Sequence, residues 1–105
     1  MLDKTIGFVG AGNMAAALIR GLLASETVRP SQIWASDVRA ERLAELSKQY
    51  GIVTTTDNAK LVEACDVVVV AVKPQVIDKV LPTIAASLRP DALVVSIAAG
   101  VPIEA

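Results

Sequence analysis

The residues of this chain best suited to chemistry are Gly10-Ala11-Gly12-Asn13-Met14-Ala15, a run of the form G-x-G-x-x-A. Each small residue answers a physical need. Gly10 permits a tight turn out of the apolar run before it. Gly12 has no Cβ, so the backbone can approach a pyrophosphate closely, and Ala15 lets the following helix pack tightly on the sheet. The start of that helix offers unpaired N–H groups and a partial positive charge to an anion. The whole run, with Ala11, Asn13 and Met14, is therefore a candidate phosphate cradle. The alternative is a glycine-rich turn that binds nothing. Taken alone the pattern is weak; its place between a strand and a helix is the context it requires. Gly7, inside the first apolar run, reads instead as a position of close packing.

A second group lies further on. Asp37 ends the next apolar run, about 20 residues beyond the turn, where a carboxylate can hydrogen-bond the ribose hydroxyls of NAD. It would repel the additional phosphate of NADP. Ser36 and Arg39 flank it and could bind that phosphate if Asp37 turned away. Asp37 could also be the N-cap of the next helix, and Arg39 a solvated residue at its start. The choice between NADPH and NADH stays open at this point.

The elements that must position these residues follow from apolar periodicity. Thr5 to Val9 reads as a first strand and Asn13 to Ala24 as a helix with Leu18, Ile19, Leu22 and Leu23 at helical spacing. Ser25 to Ser31 is a loop and Gln32 to Ser36 a second strand, with Trp34 expected near the adenosine end of any groove. Ala40 to Tyr50 is an amphipathic helix, Leu43 and Leu46 inward and Glu41, Arg42, Glu45 and Lys48 outward, closed by Gly51. Ile52 to Thr54, Asn58 to Ala64 and Val67 to Val72 read as strand, short helix and strand; the valine run lacks alternation, so both of its faces should be buried. Gln75 to Ser87 is a helix expected to break or kink around Pro82, and Ala92 to Ile97 a fifth strand before the turn Ala98-Ala99-Gly100. Strand and helix alternate with short connections, which predicts an α/β fold: a Rossmann-like, doubly wound parallel sheet in three layers, in the order 3-2-1-4-5. The fifth strand would form a raw edge that should pair with a neighbouring chain or lower solubility.

Composition narrows the function. The 105 residues amount to one small domain, 53% apolar, with a formal net charge of −1. Neither nucleic-acid nor membrane binding is expected from that balance. No basic leader precedes the first strand, and Val67 to Val72 is too short to span a bilayer. The chain has no histidine and one cysteine, Cys65, so a zinc site is not expected and a buried structural thiol is. A lone cysteine also fits a reducing, cytoplasmic setting.

Three segments together resemble one family. They are Ile6-Gly7-Phe8-Val9-Gly10-Ala11-Gly12-Asn13-Met14-Ala15, Ala71-Val72-Lys73-Pro74, and Val94-Val95-Ser96-Ile97-Ala98-Ala99-Gly100-Val101. Their order and spacing are similar to the N-terminal domain of 1-pyrroline-5-carboxylate reductase. β-Hydroxyacid dehydrogenases share the style of the first segment but usually carry Leu-Pro after the fourth strand and glycine at the position of Ala15. The resemblance implies reduction of the C=N bond of 1-pyrroline-5-carboxylate to L-proline with NADPH, or NADH, in a homo-oligomer. It implies that Gly10 to Ala15 hold the pyrophosphate and that Asn58 contacts the adenosine half. It further implies that Ala71, Lys73 and Pro74 line the groove and that Ala98, Ala99 and Gly100 lie near the nicotinamide. Plain readings stand beside these: Asn58 as a helix N-cap, Lys73-Pro74 as a strand terminator, Ala98-Ala99-Gly100 as a tight turn.

Members of that family are longer, and the further part is a helical domain that forms the dimer and most of the substrate pocket. Residues 1–105 are accordingly expected to be an incomplete enzyme, and no catalytic residue is identified in them. The rivals are another reductase built on the same domain, such as a β-hydroxyacid dehydrogenase or a deazaflavin-dependent NADP reductase, and a non-catalytic nucleotide-sensing module.

Overall fold

The computed structural model describes residues 3–97. The strands are β1 (Ile6–Val9), β2 (Ile33–Ser36), β3 (Val53–Thr55), β4 (Val67–Val70) and β5 (Leu93–Ser96). The helices are α1 (Asn13–Ala24), α2 (Ala40–Tyr50), α3 (Asn58–Ala64) and α4 (Pro74–Ala85). The strands form one sheet in the order β3-β2-β1-β4-β5, and every neighbouring pair is parallel. This is the doubly wound order the sequence predicts.

Register explains the three layers. Ile6 pairs with Ile33 on one side and Val67 on the other, so equivalent residues of the inner strands point the same way. Ile6, Phe8, Ile33 and Ala35 face a core closed by Ala15, Ile19, Leu43 and Leu46 from α1 and α2, with Val67 and Val69 packed against it. Val9, Val68 and Val70 face the opposite core with Leu61, Val62 and Ile84 from α3 and α4. Both faces of β4 are thus covered, which is why its four valines need no polar alternation.

Gly7 is where the second core is tightest. A Cβ there would lie 2.5 Å from Leu61 Cδ2 and 2.7 Å from Cys65 Sγ, so α3 rests directly on the β1 backbone. Cys65 is fully buried, and burial pushes its thiol up to about 12. It is a structural thiol, not a reactive one.

Several boundaries differ from expectation. A short 3-10 turn, Pro30–Gln32, takes Gln32 out of the second strand. β3 begins at Val53, with Ile52 buried just ahead of it, and extends to Thr55 paired with Ser36. β4 stops at Val70 because its neighbour β1 leaves the sheet at Gly10, whose φ of 104° turns the chain away. Ala71 N donates to Val9 O at 2.8 Å, and Val72 has no ladder partner among the described residues. α4 starts at Pro74, a favoured first position, and runs unbroken through Pro82. Pro82 sits on the exposed side, where water can satisfy the carbonyl its missing N–H leaves free. β5 spans four residues, all exposed. No helix among the described residues is long and apolar enough to cross a membrane.

Candidate functional site

The site forms at the carboxyl ends of β1, β2 and β4, where doubly wound sheets bind ligands. The turn after β1 is built by its glycines. Gly10 has a left-handed φ of 104°, and a Cβ on it would come 2.7 Å from the Ala71 carbonyl oxygen. Its N–H donates to Ser36 O at 2.8 Å, tying the turn to the end of β2. A Cβ on Gly12, by contrast, would meet nothing within 4 Å. Gly12 is also the residue before α1, and no side chain caps that helix start. The backbone there is open and its first amides are unclaimed. Ala15 is fully buried beneath them, against the sheet.

Asp37 faces this turn. Its Oδ2 accepts from Ala11 N at 2.9 Å and from Arg39 Nη2 at 3.0 Å. Its Oδ1 accepts from the Arg39 backbone N and from Arg39 Nε, both at 3.0 Å. Burial alone would push its pKa up, but the Arg39 guanidinium and the two backbone N–H groups outweigh it and hold the carboxyl at about 2. The Arg39 side chain is 52% exposed, so the guanidinium stands at the rim in a fixed orientation. Asp37 is not the N-cap of α2. That position belongs to Arg39, whose side chain does not cap.

Ser36 and Asn58 meet behind Asp37. Ser36 is fully buried, and its hydroxyl donates to Asn58 Oδ1 at 2.5 Å. The hydroxyl therefore points inward to a side-chain partner rather than outward to the rim. Asn58 does not cap α3 either; Asp57 does, accepting from Ala59 N and Lys60 N. Lys73 caps α4 by position only, is exposed, and is followed by Pro74 as the first helical residue.

Three adjoining hollows run across this edge. One of about 140 Å³ is bounded by Ser36, Asp37, Val38, Thr56 and Asn58, with Val72, Val76 and Val80 behind. The middle one, about 180 Å³, lies between Gly10-Ala11-Gly12, Asp37, Arg39 and Ala71-Val72-Lys73. The third, about 200 Å³, is bounded by Gly12, Asn13, Met14, Ala71, Val72, Lys73 and Ile97. Shared walls, Gly10, Asp37 and Val72 on one side and Gly12 and Ala71 to Lys73 on the other, make them one elongated groove. A larger hollow of about 520 Å³, between Leu23, Glu26, Val28, Arg29 and Pro30, shares none of these residues.

The sequence-predicted residues Gly10 to Met14, Asp37, Arg39, Asn58, Ala71 and Lys73 thus converge, while Ala15 lies beneath the groove and Pro74 behind Lys73. Ala98, Ala99 and Gly100 lie outside the described residues. Trp34 lines none of the three hollows. It lies two residues before Ser36, packed on the core of Val9, Leu61 and Val68. Sequence reasoning missed Val38, 92% exposed beside Asp37, and Arg42, whose Nε donates to Ala11 O at 2.7 Å. Arg42 has no local signature, because its partner is 31 residues away. Among the described residues no three His, Cys, Asp or Glu side chains gather as a metal site.

An elongated groove with open glycine backbone at its middle, a helix start aimed at it and polar groups at one end fits a dinucleotide. Comparison with known proteins agrees with that geometry. Residues 5–100 match the family model described as NADP oxidoreductase, coenzyme F420-dependent. Pyrroline-5-carboxylate reductase of Escherichia coli (strain K12) is 43% identical over 103 residues, which are 98% of this chain and 38% of that protein. The Pseudomonas aeruginosa protein of the same name is 48% identical over 102 residues, 97% of this chain and 37% of that one. Among solved structures, the pyrroline-5-carboxylate reductase of Coxiella burnetii superposes with a TM-score of 0.88 at 34% identity, over 98% of this chain and 38% of that one. The Plasmodium falciparum pyrroline carboxylate reductase with NADP bound gives 0.80 at 27%, over 99% and 37%. The chain spans a little over a third of the length of these relatives.

Proposed function

The chain belongs to the NADP oxidoreductase, coenzyme F420-dependent family, and from that premise we propose that it is the cofactor-binding part of a 1-pyrroline-5-carboxylate reductase. The observation that carries the reading is the groove over the carboxyl ends of β1, β2 and β4, open at the Gly12 backbone. The identities of up to 48% to pyrroline-5-carboxylate reductases select among reductases. On this reading residues 1–105 are the N-terminal NAD(P)-binding domain of a longer, cytoplasmic, homo-oligomeric enzyme whose helical domain supplies most of the substrate pocket.

A nicotinamide cofactor held here would supply the hydride for reduction of the C=N bond of 1-pyrroline-5-carboxylate to L-proline, a proton going to the nitrogen. The residues of this chain bind and orient. Gly10 to Met14 receive the pyrophosphate on backbone N–H groups, with Ala15 holding α1 close beneath. Asn58, fixed by Ser36, and the exposed Val38 border the adenosine; Ser36 acts through Asn58 rather than by contact. Ala71 and Lys73, with Pro74 behind them, form the wall that directs the nicotinamide half toward Ile97.

The geometry at Asp37 favours NADPH. A carboxylate offers about four lone-pair sites, and Ala11 N, Arg39 N, Arg39 Nε and Arg39 Nη2 occupy that many. A ribose hydroxyl would have to displace one of them. The Arg39 guanidinium, already held at the rim, instead offers its remaining N–H groups to a 2′-phosphate.

Calorimetric titration of the protein with NADPH and NADH tests this. NADPH should bind more tightly, and Arg39→Ala should erase the difference; a clear NADH preference would return Asp37 to the role of ribose reader. A second reading, a deazaflavin-dependent NADP reductase, has the family description in its favour. Assaying the full-length enzyme separates the two: proline formed from 1-pyrroline-5-carboxylate supports the first, and reduction of a deazaflavin without proline formation supports the second.

A further inference from the structure

Every described peptide bond is trans, so the carbonyl of one residue and the N–H of the next point in opposite directions across a rigid plane. The Ala11–Gly12 peptide is held at one end. Arg42, two residues inside α2, donates from Nε to Ala11 O at 2.7 Å, and its side chain is only 23% exposed. The preceding peptide is held too, Ala11 N donating to Asp37 Oδ2. Gly12 N has no acceptor among the described residues.

Resting on the dinucleotide reading above, we infer that Arg42 is a positioning residue for the phosphate loop. By drawing the Ala11 carbonyl toward α2 it turns the Gly12 N–H the opposite way, into the groove. A loop of two glycines and an alanine is otherwise free to rotate this peptide, because Gly12 carries no side chain to resist it. The rotated peptide would present a carbonyl oxygen to the pyrophosphate, replacing a donor by a repelling acceptor. Arg42 also offsets the partial negative charge of that carbonyl near the phosphates. It touches no part of the ligand. Its second contact, Nη1 to Glu45 Oε1 at 3.6 Å, lies within α2 and steadies the side chain.

The experiment compares two ligands. NADPH engages the loop through its pyrophosphate; adenosine 2′-monophosphate occupies the adenosine end and has no pyrophosphate. Arg42→Met keeps the aliphatic stem and removes the donors. It should weaken NADPH about tenfold or more, the range for a lost hydrogen bond to a charged group, and leave adenosine 2′-monophosphate unchanged. Arg42→Lys, which keeps the charge, should fall between, and it carries the same comparison if the Met variant does not fold. Unchanged NADPH affinity, or equal loss for both ligands, would overturn the inference while leaving the cofactor reading intact. A wild-type protein that binds adenosine 2′-monophosphate but not NADPH would overturn both.

Discussion

Two carboxylate oxygens of Asp37 receive four hydrogen bonds, and that saturation fixes how the residue contributes to stability. Its pKa in the fold is held down to about 2, against an ordinary 3.8. The folded value is the lower one, so the stabilisation is fully present above the ordinary value and is lost as pH falls from about 4 through 2. It amounts to about 1 kcal/mol, since solvent around the half-exposed Arg39 screens part of the shift. Asp37→Asn should therefore lower the denaturant midpoint at pH 7 and show a shallower decline than wild type between pH 4 and 2. Parallel curves would show that the carboxylate is no anchor of the turn. The same residue marks a limit of sequence reading. Asp37 could be placed at the end of β2 from spacing alone, but that Ala11 N fills one of its lone pairs depends on the path of a turn in another part of the chain. Ser36 is a second case: nothing local distinguishes a hydroxyl facing the rim from one facing Asn58.

Among the elements, α3 depends most on one small residue. Its Leu61 and the adjoining Cys65 occupy the space above Gly7, which no side chain could share without displacement. Gly7→Ala should cost about 1–3 kcal/mol in chemical denaturation. The cost should be smaller in a Cys65→Ala background, because one of the two crowding groups is then absent. Additive penalties would mean that α3 is not seated on the β1 backbone. Element type was legible throughout because the apolar periods are strong: the valines of β4, the Leu43 and Leu46 face of α2, Gly51 after it. Element ends were not. β4 stops where its neighbour β1 turns away, a fact about pairing rather than about Ala71 or Val72. α4 passes through Pro82 because the disturbed carbonyl is open to water, which depends on the face the proline occupies. Arg42 stayed invisible for the same reason, since its partner belongs to a different element.

At the scale of the whole molecule the sheet is unevenly protected. Four strands are layered between helices, while all of β5 is exposed, Leu93 to 59%, at an unpaired parallel edge. Edges of this kind recruit further strands. The 105-residue chain should self-associate as concentration rises in sedimentation velocity, and Leu93→Lys should shift it toward monomer. A wild-type chain that stays monomeric throughout would show that the edge is inert. The groove itself draws mainly on β1, β2 and β4 and on the turns that leave them, and reaches this edge only at Ile97. Its two walls nevertheless come from distant parts of the chain. The Gly10 turn closes against Ala71. On the ribosome the glycine loop is therefore translated long before the wall it leans on, and until the β4 stretch has emerged there is no cleft for a nucleotide to enter. Cofactor can rescue this domain only after β4 has been made; before that point the nascent chain must rely on the β1–β2 half alone or on chaperones.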